Sequence, residues 1–425
     1  MLDPRTLAAR RDEITESCRR RGVKVDLDAV IGHQEHVATL QTQLQEVYRQ
    51  RNGHQAQGKR PLSVPEREAH AAEGRRLKDE AARLETEVAG AEQSLQALVV
   101  TIPNLVHPEA PTGGEADFRE VRRWGTPAAF GFRAQDHLSI AEKLQLVDFE
   151  AGARVAGQKW YFLKNEAVLL ELALQRFALD VLIEAGFTPY ITPDVAKPEI
   201  LDGIGYNPRG PETQIYSLAN EDLCLVGTAE ITLGGLHAGS ILDEEVLPLR
   251  LAGLSHCFRT EAGAAGRESR GLYRVHQFSK VEMFALTRPE DSDAMHEELV
   301  ALEEKIFRAL EIPYRVIDVA SGDLGAPAYR KYDLEAWMPG RGESGDWGEV
   351  TSASNCTDYQ ARRLGIRFKR KGGKRNEFVH TLNGTAVALS RAPIAILENH
   401  QRADGTVGIP KALQPYLGRD VIGNR

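Results

Sequence analysis

The 425-residue chain contains few cysteines, and they do not form pairs. Cys18, Cys224, Cys257 and Cys356 are scattered, without a C-x-x-C motif or a nearby array of histidines. Such usage is typical of a reducing compartment and argues against both a disulfide framework and a cysteine-based zinc site. Cys257 and Cys356 neighbour the motifs described below, and we interpret both as small buried residues without a chemical role.

Long hydrophobic runs are also missing. No segment is long and uncharged enough to span a bilayer, and the first 22 residues carry acidic side chains without the apolar core of a signal peptide. We therefore expect a soluble, cytoplasmic protein that does not associate with membranes.

An excess of positive charge is absent as well. The chain has 53 Lys and Arg residues against 61 Asp and Glu, which gives a formal charge of -8. Any contact with nucleic acid must then come from a local positive patch, so the overall charge neither supports nor excludes an RNA partner. The apolar and charged fractions, 42% and 27%, are ordinary for globular proteins and allow two or three domains.

Two segments near the start have the residue spacing of a coiled coil. Apolar residues recur every three or four positions from Leu27 to Val47, and again from Leu77 to Leu98. Residues 51–68 interrupt the pattern with Gly and Pro, so we predict two long antiparallel helices. Neither helix has enough apolar surface for a globular core. About 30 residues at ~1.5 Å each predict a projecting arm on the order of 45 Å long.

A basic cluster is predicted near the tip of this arm: Arg49, Arg51, Lys59, Arg60 and Arg67. It is either a solvated helix end or a surface that contacts phosphate groups. The Pro- and Gly-rich residues 99–118 end the second helix and mark a domain boundary. We place an arm domain at residues 1–110 and a second domain at residues 111–425.

The second domain mixes long helical patterns with short strands. Residues 165–186 have the pattern of a helix, whereas residues 272–286 and 314–320 have that of strands. Hairpin-like turns separate the strands more often than helices do. We therefore predict an α+β fold with an antiparallel sheet flanked by helices, preceded by the long helical hairpin.

One predicted hairpin carries a row of charged and aromatic side chains. It runs along LSHCFRTEAG, turns through the basic, Gly-rich AAGRESRG and returns along LYRVHQFSKVEMFAL. Alternate residues of a strand share a face, which places these residues on one side: Arg274, His276, Phe278, Lys280 and Glu282. Structural salt bridges would explain such a row, and a binding site is the alternative.

Two other segments favour the binding site. GTAEITL is interpreted as a strand that presents Thr228 and Glu230 on one face. HTLNGTAVALSRAPIAILENHQ leads from a polar strand end into an apolar helix with Arg391 in its early turns. A cation is poorly placed at the positive end of a helix dipole unless an anion lies opposite. We therefore predict that Arg259 and Arg391 hold a polyphosphate.

Five motifs in order match one family. GFTPYITPDV, FRTEAG...RVHQFSKVEMF and LNGTAVALSRAPIAILENHQ resemble the three signatures of class II aminoacyl-tRNA synthetases. GTAE and GEVTSASNCTDYQARR are typical of the seryl branch. Over essentially its whole length, helical arm included, the chain resembles a bacterial-type seryl-tRNA synthetase.

The resemblance implies a class II catalytic domain preceded by a tRNA-binding coiled coil. The first motif belongs to the dimer interface of this family, which implies a homodimer. ATP and L-serine would form seryl-adenylate and diphosphate. The serine would then pass to tRNA(Ser), and to tRNA(Sec) where one exists. ATP is thus the implied substrate and Mg2+ the implied cofactor of an AMP-forming ligase of protein biosynthesis.

The resemblance also implies the residues of the site. Serine binding is implied for Thr228, Ala229, Glu230, Arg259, Glu282, Asn383 and Thr385. ATP binding is implied for Arg259, Thr260, Glu261, Val275, Phe278, Glu349, Val350, Thr351, Ser352 and Arg391. Two of these would hold Mg2+ through ATP, in an oxygen-ligand environment that suits a hard ion: Glu349 and Ser352.

Four of the ATP residues have distinct implied tasks. Arg259 would bridge the α-phosphate and the substrate carboxylate, for which a planar guanidinium suits better than an ammonium. Arg391 would bind the γ-phosphate. Glu261 would recognise the adenine edge, and Phe278 would stack beneath the ring, although core packing would also explain Phe278.

Serine selection must come from its hydroxyl, because the side chain offers little else. The resemblance places Glu282 and Thr385 around that hydroxyl, and Thr228 and Glu230 near the amino group. A buried site built to bond a hydroxyl rejects alanine, since its own groups would be left unpaired. Asn383 is expected to orient this wall or to form a turn.

Residues 203–217, GIGYNPRGPETQIYS, contain several Gly and Pro residues and few apolar anchors. They predict a mobile loop that orders when ATP or tRNA binds.

Two other functions share some of these features. A synthetase-like paralogue that loads serine onto a carrier protein or small molecule would keep the motifs, but the helical arm disfavours it. A non-catalytic tRNA-binding regulator would be expected to have lost at least one of Arg259, Glu282, Glu349 and Arg391.

Overall fold

A computed structural model gives the structure of the chain. It describes residues 1–206, 214–261 and 271–423. Residues 207–213 of the loop predicted to be mobile lie outside the described residues, and so does almost all of the turn AAGRESRG. The mobility of that loop therefore stays a prediction.

The chain forms two compact units, Met1–Leu105 and Val106–Arg425. The helices described in the first unit are α1 (Arg11–Arg21), α2 (Leu27–Gln57) and α3 (Val64–Val99). Those in the second are α4 (His137–Lys143), α5 (Phe149–Ala156), α6 (Glu166–Glu184), α7 (Pro198–Ile204), α8 (Ala229–Leu236), α9 (Ser292–Ala309), α10 (Tyr359–Leu364), α11 (Ala392–Asn399) and α12 (Gln414–Leu417). None of the described helices is long and apolar enough to cross a membrane.

All described strands belong to the second unit. They are β1 (Arg119–Trp124), β2 (Val147–Asp148), β3 (Phe162–Leu163), β4 (Thr188–Ile191), β5 (Val195–Ala196), β6 (Cys224–Leu225), β7 (Ile241–Asp243), β8 (Leu249–Phe258), β9 (Gln277–Thr287), β10 (Tyr314–Asp318), β11 (Arg330–Met338), β12 (Asp346–Asn355), β13 (Arg367–Lys369), β14 (Asn376–Phe378), β15 (His380–Ala388), β16 (Val407–Gly408) and β17 (Val421–Ile422).

The first unit contains the helical hairpin that the apolar spacing predicts. α2 and α3 pack through a stripe of buried side chains: Leu40, Val47, Leu77, Ala81, Leu84 and Val88. Tyr48 Oη donates a hydrogen bond to Glu85 Oε1 at 2.6 Å, across the two helices. The narrow apolar stripe and this cross-helix bond together hold the register of a two-helix coiled coil.

The connection between α2 and α3 is shorter than the interruption predicted at residues 51–68. α2 continues past Gly53, and α3 begins before Pro65. Ser63 and Glu66 form a capping box, in which Ser63 N donates to Glu66 Oε2 at 2.7 Å. Proline is tolerated in the first turn of a helix, because the N–H it lacks would have no partner there. This proline therefore belongs to a helix start and not to the break.

The second unit is built on an eight-stranded sheet with the order β1-β10-β11-β12-β15-β9-β8-β4. Its neighbouring strands are antiparallel except β4 and β8, which are parallel. The largest apolar cluster combines sheet residues with α6, α9 and α11, and a second cluster involves α7, α8 and α10. The predicted α+β fold, an antiparallel sheet flanked by helices, is confirmed.

Strand β9 divides the apolar core from a polar cavity. Val281 and Met283 are fully buried in the largest cluster. Three alternate residues border the cavity instead: Phe278, Lys280 and Glu282. The predicted alternation does not extend to two further residues, because β9 begins only at Gln277: Arg274 and His276.

The prediction that GTAEITL forms a strand is wrong. Thr228 is the N-cap of α8, and its hydroxyl accepts a hydrogen bond from Glu230 N at 3.2 Å. A threonine at this position satisfies a backbone N–H that a helix start leaves without a partner. Gly253 of β8 lets the helix lie close to the sheet, because a Cβ there would stand 2.8 Å from the Cβ of Ala229.

Candidate active site

A cavity of about 410 Å3 lies beside β9. Most of the residues predicted to form the site line it: Glu230, Arg259, Glu261, Val275, Phe278, Glu282, Glu349, Val350, Thr351, Ser352, Asn383, Thr385 and Arg391. Three others are not part of the lining as the described residues define it: Thr228, Ala229 and Thr260. Thr228 and Ala229 are buried at the start of α8, directly before Glu230. The fold thus brings side chains from distant parts of the sequence to one cavity.

Arg259 directly follows β8 and is held at the cavity wall. Its Nε donates to the carbonyl of Gly227 at 3.3 Å, and its guanidinium lies 5.4 Å from the centre of the Phe278 ring. Phe278 packs in a small buried cluster with Cys257 and Val275 and also borders the cavity. Phe278 therefore takes part in core packing and also faces the space in which an adenine ring would stack.

The anion that lies opposite Arg391 in the structure is the carboxylate of Glu349. Arg391 Nη1 lies 2.7 Å from Glu349 Oε1 and also donates to the Glu349 carbonyl at 3.3 Å. Arg391 does not lie in the early turns of α11, as predicted, but is the N-cap residue before its first turn. The Tyr273 ring lies 4.8 Å from its guanidinium, and Tyr273 Oη donates to the same carbonyl at 3.2 Å.

Glu349 belongs to a corner of the cavity that is rich in oxygen atoms. Burial opposes its charged form, but Arg391 and Lys331 outweigh burial and hold the pKa of Glu349 below its usual value. Asp333 faces Ser352 across β11 and β12, and burial raises the pKa of Asp333. Asp333 Oδ1 is buried, and no hydrogen bond reaches it from the described residues.

Glu282 is held between three strands. It faces Gly253 of β8 on one side and Thr385 of β15 on the other. Thr385 Oγ1 donates to Glu282 Oε2 at 3.2 Å, and Lys280 Nζ lies 2.6 Å from the same oxygen. Burial lowers the pKa of Lys280, but the attraction of Glu282 outweighs it, so the pKa is raised overall. The result is a nearly buried ion pair with a hydroxyl beside it.

Glu230 forms the neighbouring acidic group. Its Oε1 accepts hydrogen bonds from Asn383 Nδ2 at 2.9 Å and from Gln360 Nε2 at 2.7 Å. Burial, followed by the nearby charge of Glu282, raises the pKa of Glu230 to about 7. This carboxyl can therefore exchange a proton near neutral pH. Asn383 thus contacts the acid of this wall, and its expected task of orienting the wall stays a prediction.

Several residues at or next to the cavity have no role predicted from the sequence. Four of them line the cavity: Tyr273, Lys280, Lys331 and Cys356. Two do not line it but neighbour residues that do, Asp333 beside Ser352 and Gln360 beside Glu230. The alternation along β9 contained the signal for Lys280, which stands between Phe278 and Glu282. A glutamine in a short helix carries no such signal, so Gln360 could be found only from its contacts. Cys356 is buried, as expected, and Asn383 Nδ2 lies 3.8 Å from its sulfur.

The basic residues predicted near the arm tip fall into two groups. Three contact the arm itself through an ion pair, an aromatic ring or a backbone carbonyl: Arg49, Arg51 and Arg67. Two lie in the connection between α2 and α3, where no ion pair with a described residue engages them: Lys59 and Arg60.

Two family models match the chain. The model described as "Seryl-tRNA synthetase N-terminal domain" matches residues 1–106, and "tRNA synthetase class II core domain (G, H, P, S and T)" matches residues 215–400. A serine–tRNA ligase of Treponema denticola is 55% identical, with 100% of both chains covered. One of Rhodopirellula baltica is 56% identical, with 99% of both covered. The chain belongs to the seryl-tRNA synthetase family.

Solved structures of the family agree with this assignment. The seryl-tRNA synthetase of Pyrococcus horikoshii complexed with ATP has a TM-score of 0.91 at 39% identity, over 99% of each chain. The cytoplasmic serine–tRNA ligase of Naegleria fowleri in complex with AMP has a TM-score of 0.85 at 33% identity, over 97% of this chain and 95% of the other. The family and the class II core predicted from the motifs are confirmed.

The Lys280–Glu282 pair gives a prediction about stability. Lys280→Met should lower the free energy of unfolding by about 3 kcal/mol, because Glu282 stays buried without its cation. Adding Glu282→Gln should recover most of that loss. Urea denaturation of the two single variants and the double variant completes the cycle.

The matched control is Lys305→Met, which removes an exposed lysine whose Nζ lies 2.8 Å from Glu184. It should cost less than about 1 kcal/mol. Equal losses for Lys280→Met and Lys305→Met would contradict a strong buried pair.

Proposed function

We propose that the chain is a serine–tRNA ligase that activates L-serine with ATP and transfers it to tRNA(Ser). The observation that carries the proposal is one cavity lined by Arg259 and Arg391, with Glu282 and Thr385 hydrogen-bonded in its wall. Two cations suit a polyphosphate, and the acid with its hydroxyl suits a small hydroxylated amino acid.

The activation step needs fixed positive charge. The carboxylate of serine attacks the α-phosphorus of ATP, and both reactants are anionic. Arg259 would hold the two together, and Arg391 would bind the γ-phosphate end, which leaves with the diphosphate. Rate enhancement then comes from positioning and electrostatics, and no side-chain nucleophile is needed.

Recognition of serine rests on the two acidic groups. The serine hydroxyl would bond to Glu282 and Thr385, and alanine would forfeit this hydrogen bond in a buried polar site. The serine ammonium would pair with Glu230, whose raised pKa reflects a buried carboxylate in need of a cation. Thr228 supports this pairing indirectly, because its hydroxyl caps the helix that carries Glu230.

ATP would enter on the side of Phe278. The ring borders the cavity and would stack beneath adenine, with the main chain of Val275 beside it. Glu261 would accept from the adenine edge. In the structure its Oε2 already accepts from Arg274 Nη1 at 3.3 Å, so a cation holds this carboxylate in place.

Mg2+ is proposed as the cofactor. Glu349 and Ser352, which line the cavity, would hold it together with phosphate oxygens. Asp333 faces Ser352 across β11 and β12, and its buried Oδ1 accepts no hydrogen bond from the described residues. Such a donor set fits a hard cation. When bound, Mg2+ would neutralise negative charge on the phosphates.

We further propose that the protein is a homodimer, that it is cytoplasmic, and that tRNA(Sec) is a second substrate where one exists. Support for the dimer comes from large apolar side chains exposed around the first motif: Leu172 at 56% and Ile191 at 86%. Large apolar side chains with this degree of exposure are common at protein interfaces. Four free cysteines support a reducing compartment.

Serine-dependent exchange of diphosphate into ATP tests the function. Glu282→Ala should lower kcat/KM for serine by at least about a hundredfold, because it removes a charged partner of the hydroxyl and leaves Lys280 unpaired. Lys305→Met serves as the control. Exchange with serine but no charging of any tRNA would favour the paralogue, and no exchange with serine would favour the regulator.

The arm tip gives a second prediction. Lys59→Ala with Arg60→Ala should raise KM for tRNA and lower the salt dependence of charging, by about one unit of slope for each phosphate that the tip no longer neutralises. Exchange without tRNA should be unchanged. The control is Arg83→Ala, which removes an arm arginine already paired with Glu87 at 2.7 Å. Equal KM values in both variants would contradict a phosphate-binding tip.

Glu230 gives a prediction about pH. A protonated carboxyl cannot pair with the serine ammonium, and with a pKa of about 7 Glu230 is mostly protonated at pH 6. KM for serine should therefore fall roughly tenfold between pH 6 and pH 8. Glu230→Gln should raise KM and remove this dependence. A flat profile in the unaltered chain would contradict the pairing.

A further inference from the structure

Gln360 connects three parts of the second unit from a fully buried position on α10. Its Nε2 donates to Glu230 Oε1 at 2.7 Å and to the Ile204 carbonyl at 3.0 Å. Its Oε1 accepts from Thr381 Oγ1 at 2.7 Å. All of its polar atoms are therefore engaged, and one of its partners is an acid of the cavity.

These partners fix the orientation of the amide. A backbone carbonyl can only accept, so the NH2 group must face Ile204, and its second N–H then points at Glu230. The hydroxyl of Thr381 supplies the donor that the amide oxygen requires. A flipped amide would place its oxygen against two acceptors, so a single orientation satisfies the network.

The consequence falls on the carboxylate of Glu230. Gln360 and Asn383 both donate to Oε1. Among the described residues, no hydrogen bond engages Oε2. Two amide donors on one oxygen fix the plane of the carboxylate and leave its other oxygen for a ligand.

We propose that Gln360 is a positioning residue that holds Glu230 in the orientation that receives the ammonium group of the amino acid substrate. The inference rests on the proposed function, because it takes that substrate to be serine. Gln360 acts through Glu230 and does not itself line the cavity. Its bond to Ile204 also ties this wall to the last residue of α7.

A neutral amide suits this position better than a carboxylate. A carboxylate at position 360 would face the Ile204 carbonyl and Glu230, and two like charges at hydrogen-bond distance raise each other's pKa. Glutamine supplies two N–H groups without adding charge. It therefore favours the ionised form of Glu230, which burial disfavours.

The first test is Gln360→Met, a change that keeps volume and removes the amide. KM for serine in the exchange assay should rise about tenfold or more, the usual effect of removing a hydrogen bond to a charged group. KM for ATP and kcat should stay within about twofold, because the phosphate-binding arginines are untouched. A purely structural role would lower thermal stability and leave the KM for serine unchanged, which would overturn the proposal.

The matched control is Gln401→Met. Gln401 is also a buried glutamine, and its Nε2 donates to the carbonyls of Gln135 and Glu398. Its loss should destabilise the fold to a similar degree without changing KM for serine. Equal increases of KM in both variants would show a general loosening and would overturn the proposal.

The second test is Gln360→Glu, which keeps the shape and also serves if Gln360→Met does not fold. Between pH 6 and 7 the introduced carboxyl can share a proton with Glu230, but above pH 8 both groups ionise and repel each other. KM for serine should then pass through a minimum and rise at alkaline pH, whereas in the unaltered chain it falls. Parallel profiles would overturn the proposal. Absence of serine-dependent exchange in the unaltered chain would instead overturn the proposed function.

Discussion

The site depends on the antiparallel pairing of β9 with its two neighbours. This pairing sets Glu282 between Gly253 and Thr385 and turns alternate side chains of β9 toward the cavity. A shift of register by one residue would exchange the two faces of the strand, turning Glu282 into the large apolar cluster and Val281 toward the cavity. Such a shift is excluded by the large apolar cluster behind the strand. Core packing and the chemistry of the site are therefore fixed by the same register.

The sequence predicted those parts of the structure that depend on local pattern. The period of the arm helices and the alternation from Phe278 to Glu282 along β9 rest on neighbouring residues, and both are present in the structure. Two local patterns predict the wrong structure, because each is also typical of a helix start. The alternation around Thr228 predicts a strand, although a threonine before a short apolar run also caps a helix. Pro65 predicts a break, although it is well placed in the first turn of α3.

Contacts between distant segments could not be predicted in this way. Gln360 reaches Glu230 because α10 packs against α7, which in turn packs against α8, and no pattern around residue 360 signals this packing. Tyr273 likewise touches Arg391 and the Glu349 carbonyl only after three separate segments have folded together. Family motifs identified the residues expected to touch the ligands. The residues that hold them in place became visible only with the fold.

The charges around the cavity show which acid is open to a cationic ligand. Glu282 lies beside Lys280, Glu349 beside Arg391 and Glu261 beside Arg274. Glu230 is held by two amides, and within the described residues no ion pair compensates it. A buried carboxylate without a cation is costly, and burial raises the pKa of Glu230 for that reason. An incoming ammonium group removes the cost, whereas a neutral ligand would not. In the proposed function, this uncompensated negative charge favours an amino acid over a ligand without an ammonium group.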